Sequence, residues 1–253
     1  NMNTKIKIYI INLEKSKERR DFIYNQFDNL PQKIGYQFFK AVYGKEEPNH
    51  PLFSKYNEKK RFARKGHYMS LSQLGCFASH YLLWQKCIEL NQGIIVLEDD
   101  AIIHSNFPDV LNFIESNENT FEFFWLSPPA PARRNQKGKV VYSSEKLQVA
   151  RYKKGWGNAT GYFINPNAAR KLLDYCNEWI LDVDIMMERY WENKLDHLAI
   201  IPACVEPDFS KESNIPVDKQ QGKRSLKTKI LREIYKTKDN VNKFIYDLFS
   251  VNK

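Results

Sequence analysis

Three consecutive carboxylates, Glu98, Asp99 and Asp100, end the run Gly93 to Ala101, which reads G-I-I-V-L-E-D-D-A. Four apolar residues after a glycine suit a strand buried on both faces, and such a strand has no packing reason to finish in three acids. Hard divalent cations take carboxylate oxygens and often bind through one or two acids together with the phosphates of a substrate. The spacing therefore points to cation-assisted use of a phosphorylated donor. The plainer reading is a solvated loop after a strand. The triplet's place at a strand's carboxyl end, where open α/β sheets bind ligands, favours the chemical one.

A second group of acids begins 82 residues after Asp100. Asp182 and Asp184 stand at the mouth of a helix expected from Asp184 to Trp191, with Glu188 one turn on. They are candidates for a general base, although Asp at that place also serves as a helix cap.

The elements needed to position these acids are legible. Lys5 to Ile11 reads as a first strand, Asn12 to Leu30 as a helix closed by Pro31, and Tyr36 to Val42 as a second strand. Glu46 to Gly66 holds Pro48, Pro51 and the basic cluster Lys55, Lys59, Lys60, Arg61, Arg64 and Lys65, expected as an irregular, partly helical insertion with a solvated face. From Gln73 to Leu90 a helix sets Phe77, Tyr81, Trp84 and Ile88 on one face as core. Pro108 opens a helix to about Ser116, and Phe121 to Leu126 is a buried strand. A Pro-rich loop carries Arg133 and Arg134, and Val140 to Tyr142 pairs with Leu147 to Arg151 as a hairpin. Gly155 to Asn158 is a flexible turn, Gly161 to Ile164 a strand, and Asn165-Pro166 the cap of a helix to Cys176. Alternating strands and helices define an α/β fold.

The chain has 253 residues, 42% of them hydrophobic, enough for one sizeable core. No signal peptide is expected, since Ile6 to Ile11 is short and interrupted by Lys7. No stretch approaches the about 18 apolar residues of a membrane span. Cys76, Cys87, Cys176 and Cys204 show no metal-binding spacing and read as buried free thiols.

The charge is uneven. Of the net +9, residues 219–253 carry ten Lys or Arg against Glu233, Asp239 and Asp247. The same segment places Ile230, Leu231, Ile234, Tyr235, Val241, Phe244, Ile245, Leu248 and Phe249 at helical spacings. Two units follow, a catalytic domain over 1–218 and a basic amphipathic tail over 219–253. The tail either lies on an anionic membrane or partner, or packs on its own domain. A non-catalytic nucleic-acid or membrane-binding protein is the rival class. The basic charge lies outside the α/β region, however, and an E-D-D strand end repels phosphate unless a cation intervenes, so no nucleic-acid partner is expected.

Several segments occur together in a known order: I-Y-I-I-N-L-E-K-S-K-E-R-R near the start, F-F-K-A-V-Y-G at 38–44, L-G-C-F-A-S-H-Y-L-L-W at 74–84, and I-V-L-E-D-D-A at 95–101. T-G-Y-F-I-N-P-N-A-A-R-K-L-L, D-V-D and S-N-I come after them. The chain resembles glycosyltransferase family 25, the bacterial lipooligosaccharide glycosyltransferases, over roughly residues 5–215. The resemblance implies a GT-A-like, Rossmann-type nucleotide-sugar fold and inverting transfer of galactose or glucose, most of all β-1,4-galactosyl transfer, from a UDP-sugar to a lipooligosaccharide acceptor. It implies Mn²⁺ or Mg²⁺ at E-D-D, with Asp100 as direct ligand and Glu98 and Asp99 at the cation's water shell or the ribose. Asn12 and Leu13 fall where the uridine sits, Arg19 matches the family's Arg, and Asp184 aligns with the Asp of the family's P-V-D. Leu181-Asp182 departs from that pattern and leaves the division of labour between Asp182 and Asp184 open. Ser79-His80 also belongs to the pattern, with His80 read as hydrogen-bonded structure before catalyst. Ser213 and Ile215 are expected to help close the donor site. The setting implied is cytoplasmic, with peripheral contact at the inner membrane face.

Overall fold

A computed structural model describes residues 5–208, 210 and 225–250. In chain order the elements are β1 (Lys7–Asn12), α1 (Lys17–Asp28), β2 (Gln37–Lys40), α2 (Glu58–Lys65), α3 (Leu71–Leu90), β3 (Ile94–Glu98), β4 (Ala101–Ile103), α4 (Phe107–Ile114) and β5 (Phe123–Trp125). They continue with β6 (Lys139–Ser143), β7 (Gln148–Arg151), β8 (Gly161–Ile164), α5 (Pro166–Tyr175), α6 (Val183–Glu188), α7 (Tyr190–Asn193), β9 (Leu198–Ile201), β10 (Val205–Pro207) and α8 (Leu226–Phe249). The expected alternation of strands and helices is present, and the fold is α/β.

Eight strands form one mixed sheet in the order β2-β1-β3-β8-β5-β9-β7-β6, while β4 leaves it to pair antiparallel with β10. β1 runs parallel to both β2 and β3, and β8 lies antiparallel between β3 and β5. The sheet is buried on both sides because its strands alternate two apolar sets. Tyr9, Ile94, Val96, Trp125 and Tyr162 face one core with residues of α3, α5 and α6, among them Phe77, Trp84 and Leu172. Ile8, Ile10, Ile95, Leu97 and Phe124 face the other with residues of α1 and α4, including Ile23 and Val110. At about 1.5–3 kcal/mol per fully buried large apolar side chain, this double burial dominates the stability.

The chain leaves β1 toward β2 on one side, and β3 then lands on β1's other side. The carboxyl ends of β1 and β3 therefore border a topological switch point, the crevice where such sheets take ligands. Ile11 is in register with Glu98, which sets Asn12 beside the acidic triplet. α3 is pressed close on this edge: a Cβ on Gly75 would come within 2.5 Å of the Val42 carbonyl oxygen. The Ser79 hydroxyl accepts from the Val42 amide at 2.9 Å and donates to the Gly75 carbonyl at 2.8 Å.

Three local expectations are corrected. The Gly155 to Asn158 segment is pinned rather than flexible: Trp156 is buried, stacks on Trp125 and donates its indole N–H to the Ser127 carbonyl at 2.9 Å. The helix expected from Asp184 to Trp191 breaks at Arg189, whose ψ of 64° separates α6 from α7 while its guanidinium reaches Glu192 and Asp239. The 46–66 insertion folds into a short turn over Pro51–Lys55 and α2, and its Arg61 is buried rather than solvated. The expected 218/219 boundary, Ser213 and Ile215 lie outside the described residues. No helix among the described residues is long and apolar enough to cross a membrane.

Candidate active site

Asp99 is buried and fully engaged. Arg19 donates to one carboxylate oxygen at 2.9 Å and the Asn12 amide donates to the other at 2.8 Å. Asn12 is itself consumed, since Arg20 donates to its carbonyl oxygen at 2.8 Å and its amide also reaches the Ser16 carbonyl at 3.3 Å. Leu13 contributes its carbonyl oxygen to the Ser16 amide at 2.8 Å. Asn12 and Leu13, expected at the uridine, lie at the carboxyl end of β1, and Arg19, expected as the family's Arg, lies on the first turn of α1; Asn12 and Asp99 act as a strut joining β1 to β3. Burial raises the Asp99 pKa, and Arg19 opposes that shift.

Asp100 is the reverse case. One of its carboxylate oxygens is buried without a hydrogen-bond partner among the described residues. Burial, then the charges of Glu98 and Asp99, push its pKa up to about 7. An orphaned buried carboxylate oxygen beside further acids is costly unless a cation supplies the missing partner, and an all-oxygen donor set is the kind that Mg²⁺ or Mn²⁺ accepts. The residues present fit the group. Asp100 and Glu98 would hold it, Asp99 being already committed to Arg19 and Asn12.

Glu98 faces α3. The His80 Nε2 lies 3.3 Å from its carboxylate and the Cys76 thiol 3.8 Å away. A directed line of hydrogen bonds fixes the imidazole. The Trp84 indole N–H can only donate, and it gives its proton to the Tyr162 hydroxyl at 3.0 Å. That hydroxyl donates in turn to His80 Nδ1 at 2.8 Å, which leaves the His80 proton on Nε2, aimed at Glu98. His80, wholly buried, is therefore hydrogen-bonded structure that holds a site carboxylate. The donor atoms of Cys76, His80 and Glu98 lie within 4.8 Å of one another, a grouping able to hold a metal. The sequence shows no C-x-x-C pair and no alternating Cys/His pattern, but Cys76 and His80 are one helical turn apart on α3, a spacing that puts both on one face.

The second acidic motif meets the first. Asp184, on the first turn of α6, is half-buried, and its desolvation followed by the charges of Asp182 and Glu98 raises its pKa to about 6. Asp182 occupies the cap position of α6 yet makes no cap hydrogen bond. Its carboxylate accepts from Arg61 at 2.8 Å and from Gln73 at 3.4 Å. Capping alone does not account for it. Glu188 accepts the Trp156 amide at 2.9 Å, and burial followed by the charge of Asp184 raises its pKa to about 7. Acids at 98–100 and at 182–188, far apart in the sequence, thus share one electrostatic field, in which several carboxyls are shifted toward neutral pH. Perturbed carboxyl groups gathered at a strand-end crevice mark a functional site.

Arg61, Gln73 and Cys76 were not expected here. Arg61 sits within a basic cluster that reads as surface, and only the fold shows that it alone of that cluster turns inward.

Comparison with known proteins identifies the class. The profile of Glycosyltransferase family 25 (LPS biosynthesis protein) matches residues 5–187. The chain belongs to glycosyltransferase family 25. It is 25% identical over 258 residues to the Haemophilus influenzae "Lipooligosaccharide biosynthesis protein lic2B", covering 90% of this chain and 94% of that protein. It is 29% identical over 207 residues to "Lacto-N-neotetraose biosynthesis glycosyltransferase LgtE" of Neisseria meningitidis serogroup B, covering 74% and 68%. To a "Glycosyltransferase 25 family member" of Aedes aegypti it is 31% identical over 172 residues, 66% of this chain but only 28% of that much longer protein.

Proposed function

We propose that the chain is a GT-A-type inverting hexosyltransferase that moves galactose from UDP-galactose to a lipooligosaccharide acceptor, with UDP-glucose as the competing donor. The observation that supports this best is that Glu98 interacts electrostatically both with its neighbour Asp100 and with Asp184, which gathers acids suited to different parts of sugar transfer. The name of the Haemophilus relative supports a lipooligosaccharide acceptor, and that of the Neisseria relative supports glycosyl transfer in oligosaccharide assembly.

In an inverting transfer the sugar departs through an oxocarbenium-like state while negative charge grows on the leaving diphosphate, and the acceptor hydroxyl must lose its proton on the opposite face. Asp184 is the base: its raised pKa, about 6, leaves it deprotonated yet basic at neutral pH. Asp182, held by Arg61, shapes the field around Asp184. A bound Mn²⁺ or Mg²⁺ would supply Lewis-acid stabilisation of the diphosphate, with Asp100 and Glu98 as its protein ligands. Arg19 keeps Asp99 charged and in place, so that the turn carrying Asp100 is fixed.

Turnover of UDP-galactose and UDP-glucose, each with and without Mn²⁺, on a panel of lipooligosaccharide-derived acceptors tests this reading. Cation-dependent transfer of galactose with inversion, read by NMR of the product, is the expected result. Retention of configuration would refute the assignment of Asp184.

A further inference from the structure

The helix α8 docks on the domain by its polar side. Arg64 donates to both oxygens of Asp239, at 2.7 and 2.6 Å, and Arg189 donates to the same carboxylate at 2.8 and 3.1 Å. Tyr190 donates to Asp247 at 2.6 Å. Arg64 lies over the Tyr235 ring and Lys194 over that of Tyr246. At the helix start, Ser225 caps the first turn and Thr228 is buried over Gly66, a glycine at φ 77° where an added Cβ would strike the Thr228 methyl.

The opposite side is apolar and is left uncovered among the described residues. Leu226, Ile230, Ile234, Val241, Phe244, Ile245, Leu248 and Phe249 are all exposed, Phe244 by 67% and Phe249 by 82%. Their spacing keeps them on one face of a 24-residue helix, a stripe about 36 Å long at 1.5 Å per residue. Single exposed apolar side chains need no explanation, but a continuous stripe of this length does. Lys227, Lys229, Lys236 and Lys238 are exposed around it, with Arg232 half-buried, and the exposed acid on the helix is Glu233. Asp239 and Asp247 are turned inward and paired.

We infer that this face is a membrane-docking surface, lying in the plane of an anionic lipid bilayer with the stripe among the acyl chains and the lysines at the headgroups. Three features select that occupant. The helix is too polar to cross a bilayer, so an interfacial position is the one open to it. Its flanking charge is complementary to anionic lipid, and each Lys or Arg near such a surface adds to the attraction. A second copy of the chain would bring the same basic flanks into contact and be repelled. The docking is independent of which sugar the enzyme transfers.

Co-sedimentation of the full chain with vesicles tests this, using phosphatidylglycerol with phosphatidylethanolamine on one side and phosphatidylcholine alone on the other. The protein is expected to partition onto the anionic vesicles, and rising salt to release it. Phe244→Ser with Leu248→Ser should lower that partition by about ten-fold or more, since two large apolar side chains no longer enter the bilayer. Lys236→Gln with Lys238→Gln should weaken binding to anionic vesicles and leave the poor binding to neutral ones unchanged. None of these four residues makes a docking contact with the domain, so the thermal transition and UDP-sugar hydrolysis should not move. Equal vesicle binding by the parent and both variants would overturn the inference. So would self-association in sedimentation velocity that the serine pair abolishes without any vesicle uptake, which would give the stripe to a second copy.

Discussion

Arg61 and Asp182, separated by 121 positions in the chain, meet as an ion pair at 2.8 Å, with the guanidinium only 1% exposed and the carboxylate 31%. The charge more deeply committed to the interior is therefore the arginine, which separates the roles of the two acids around α6. Asp182→Asn would strand a buried guanidinium and is expected to cost about 2–4 kcal/mol, allowing for the partial exposure of the pair. Asp184→Asn removes a half-buried carboxylate whose neighbours are other acids, so its apo stability should hold or rise. Its kcat should nevertheless fall by roughly 10²–10⁴, as for a general base. Denaturant titration beside steady-state kinetics checks both. Loss of stability in the Asp184 variant with kcat intact would reverse the two roles.

Asp100→Asn should relieve like-charge crowding and leave the fold unharmed while removing the response to cation. In a thermal-shift titration with Mn²⁺, wild-type protein should gain transition temperature with concentration as a ligand bound only by the native state requires. The variant should gain little and should not turn over. An unchanged cation response would move the cation away from Asp100, toward the Cys76, His80 and Glu98 grouping.

Glu188 ties stability to pH. Its folded pKa of about 7 stands above the ordinary 4.5. Between those values the folded chain keeps a proton that the unfolded chain has released, so the unfolded state binds fewer protons and stability falls as pH rises through that window. Below the window no penalty remains. Glu188→Gln, which still accepts the Trp156 amide, should flatten the decline. Urea midpoints at pH 5 and pH 8 measure it, and an equally steep decline in the variant would place the source elsewhere.

Tyr162→Phe should interrupt the line from Trp84 to Glu98. A buried indole N–H is left without an acceptor, at about 1–3 kcal/mol, and His80 Nδ1 loses the donor that sets its tautomer. Stability should drop, and turnover should fall further than the removal of one remote hydroxyl explains, because Glu98 is no longer held. Full activity at permissive temperature would show that Glu98 needs no such support.

The α/β alternation, the buried strand ending in E-D-D and the capped helix at Asn165 were legible because each is written in local periodicity and capping chemistry. Asp182 with Arg61 was not, since a basic cluster on a short amphipathic helix looks the same whether or not one of its members turns inward. The pinned Trp156 was hidden between two glycines that suggest freedom, its acceptor lying 29 residues away at Ser127. For α8, periodicity identified which residues share a face but not which face is docked. That depends on Arg64 and Arg189, distant in sequence and brought together only by the fold.

The polar attachment of α8 also divides the molecule by dynamics. Thr228 is the buried residue of that helix, whereas α3 buries residues along its length from Leu74 to Cys87. Segments with few buried apolar contacts open at low free energy, while core helices open only with the whole domain. The backbone amides of α8 should therefore exchange hydrogen in short openings that leave the sheet intact, and salt should speed them by screening Asp239 from its two arginines. The chain is thus expected to behave as two cooperative units, a slowly exchanging sheet domain and a rapidly exchanging helix held to it mainly by charge.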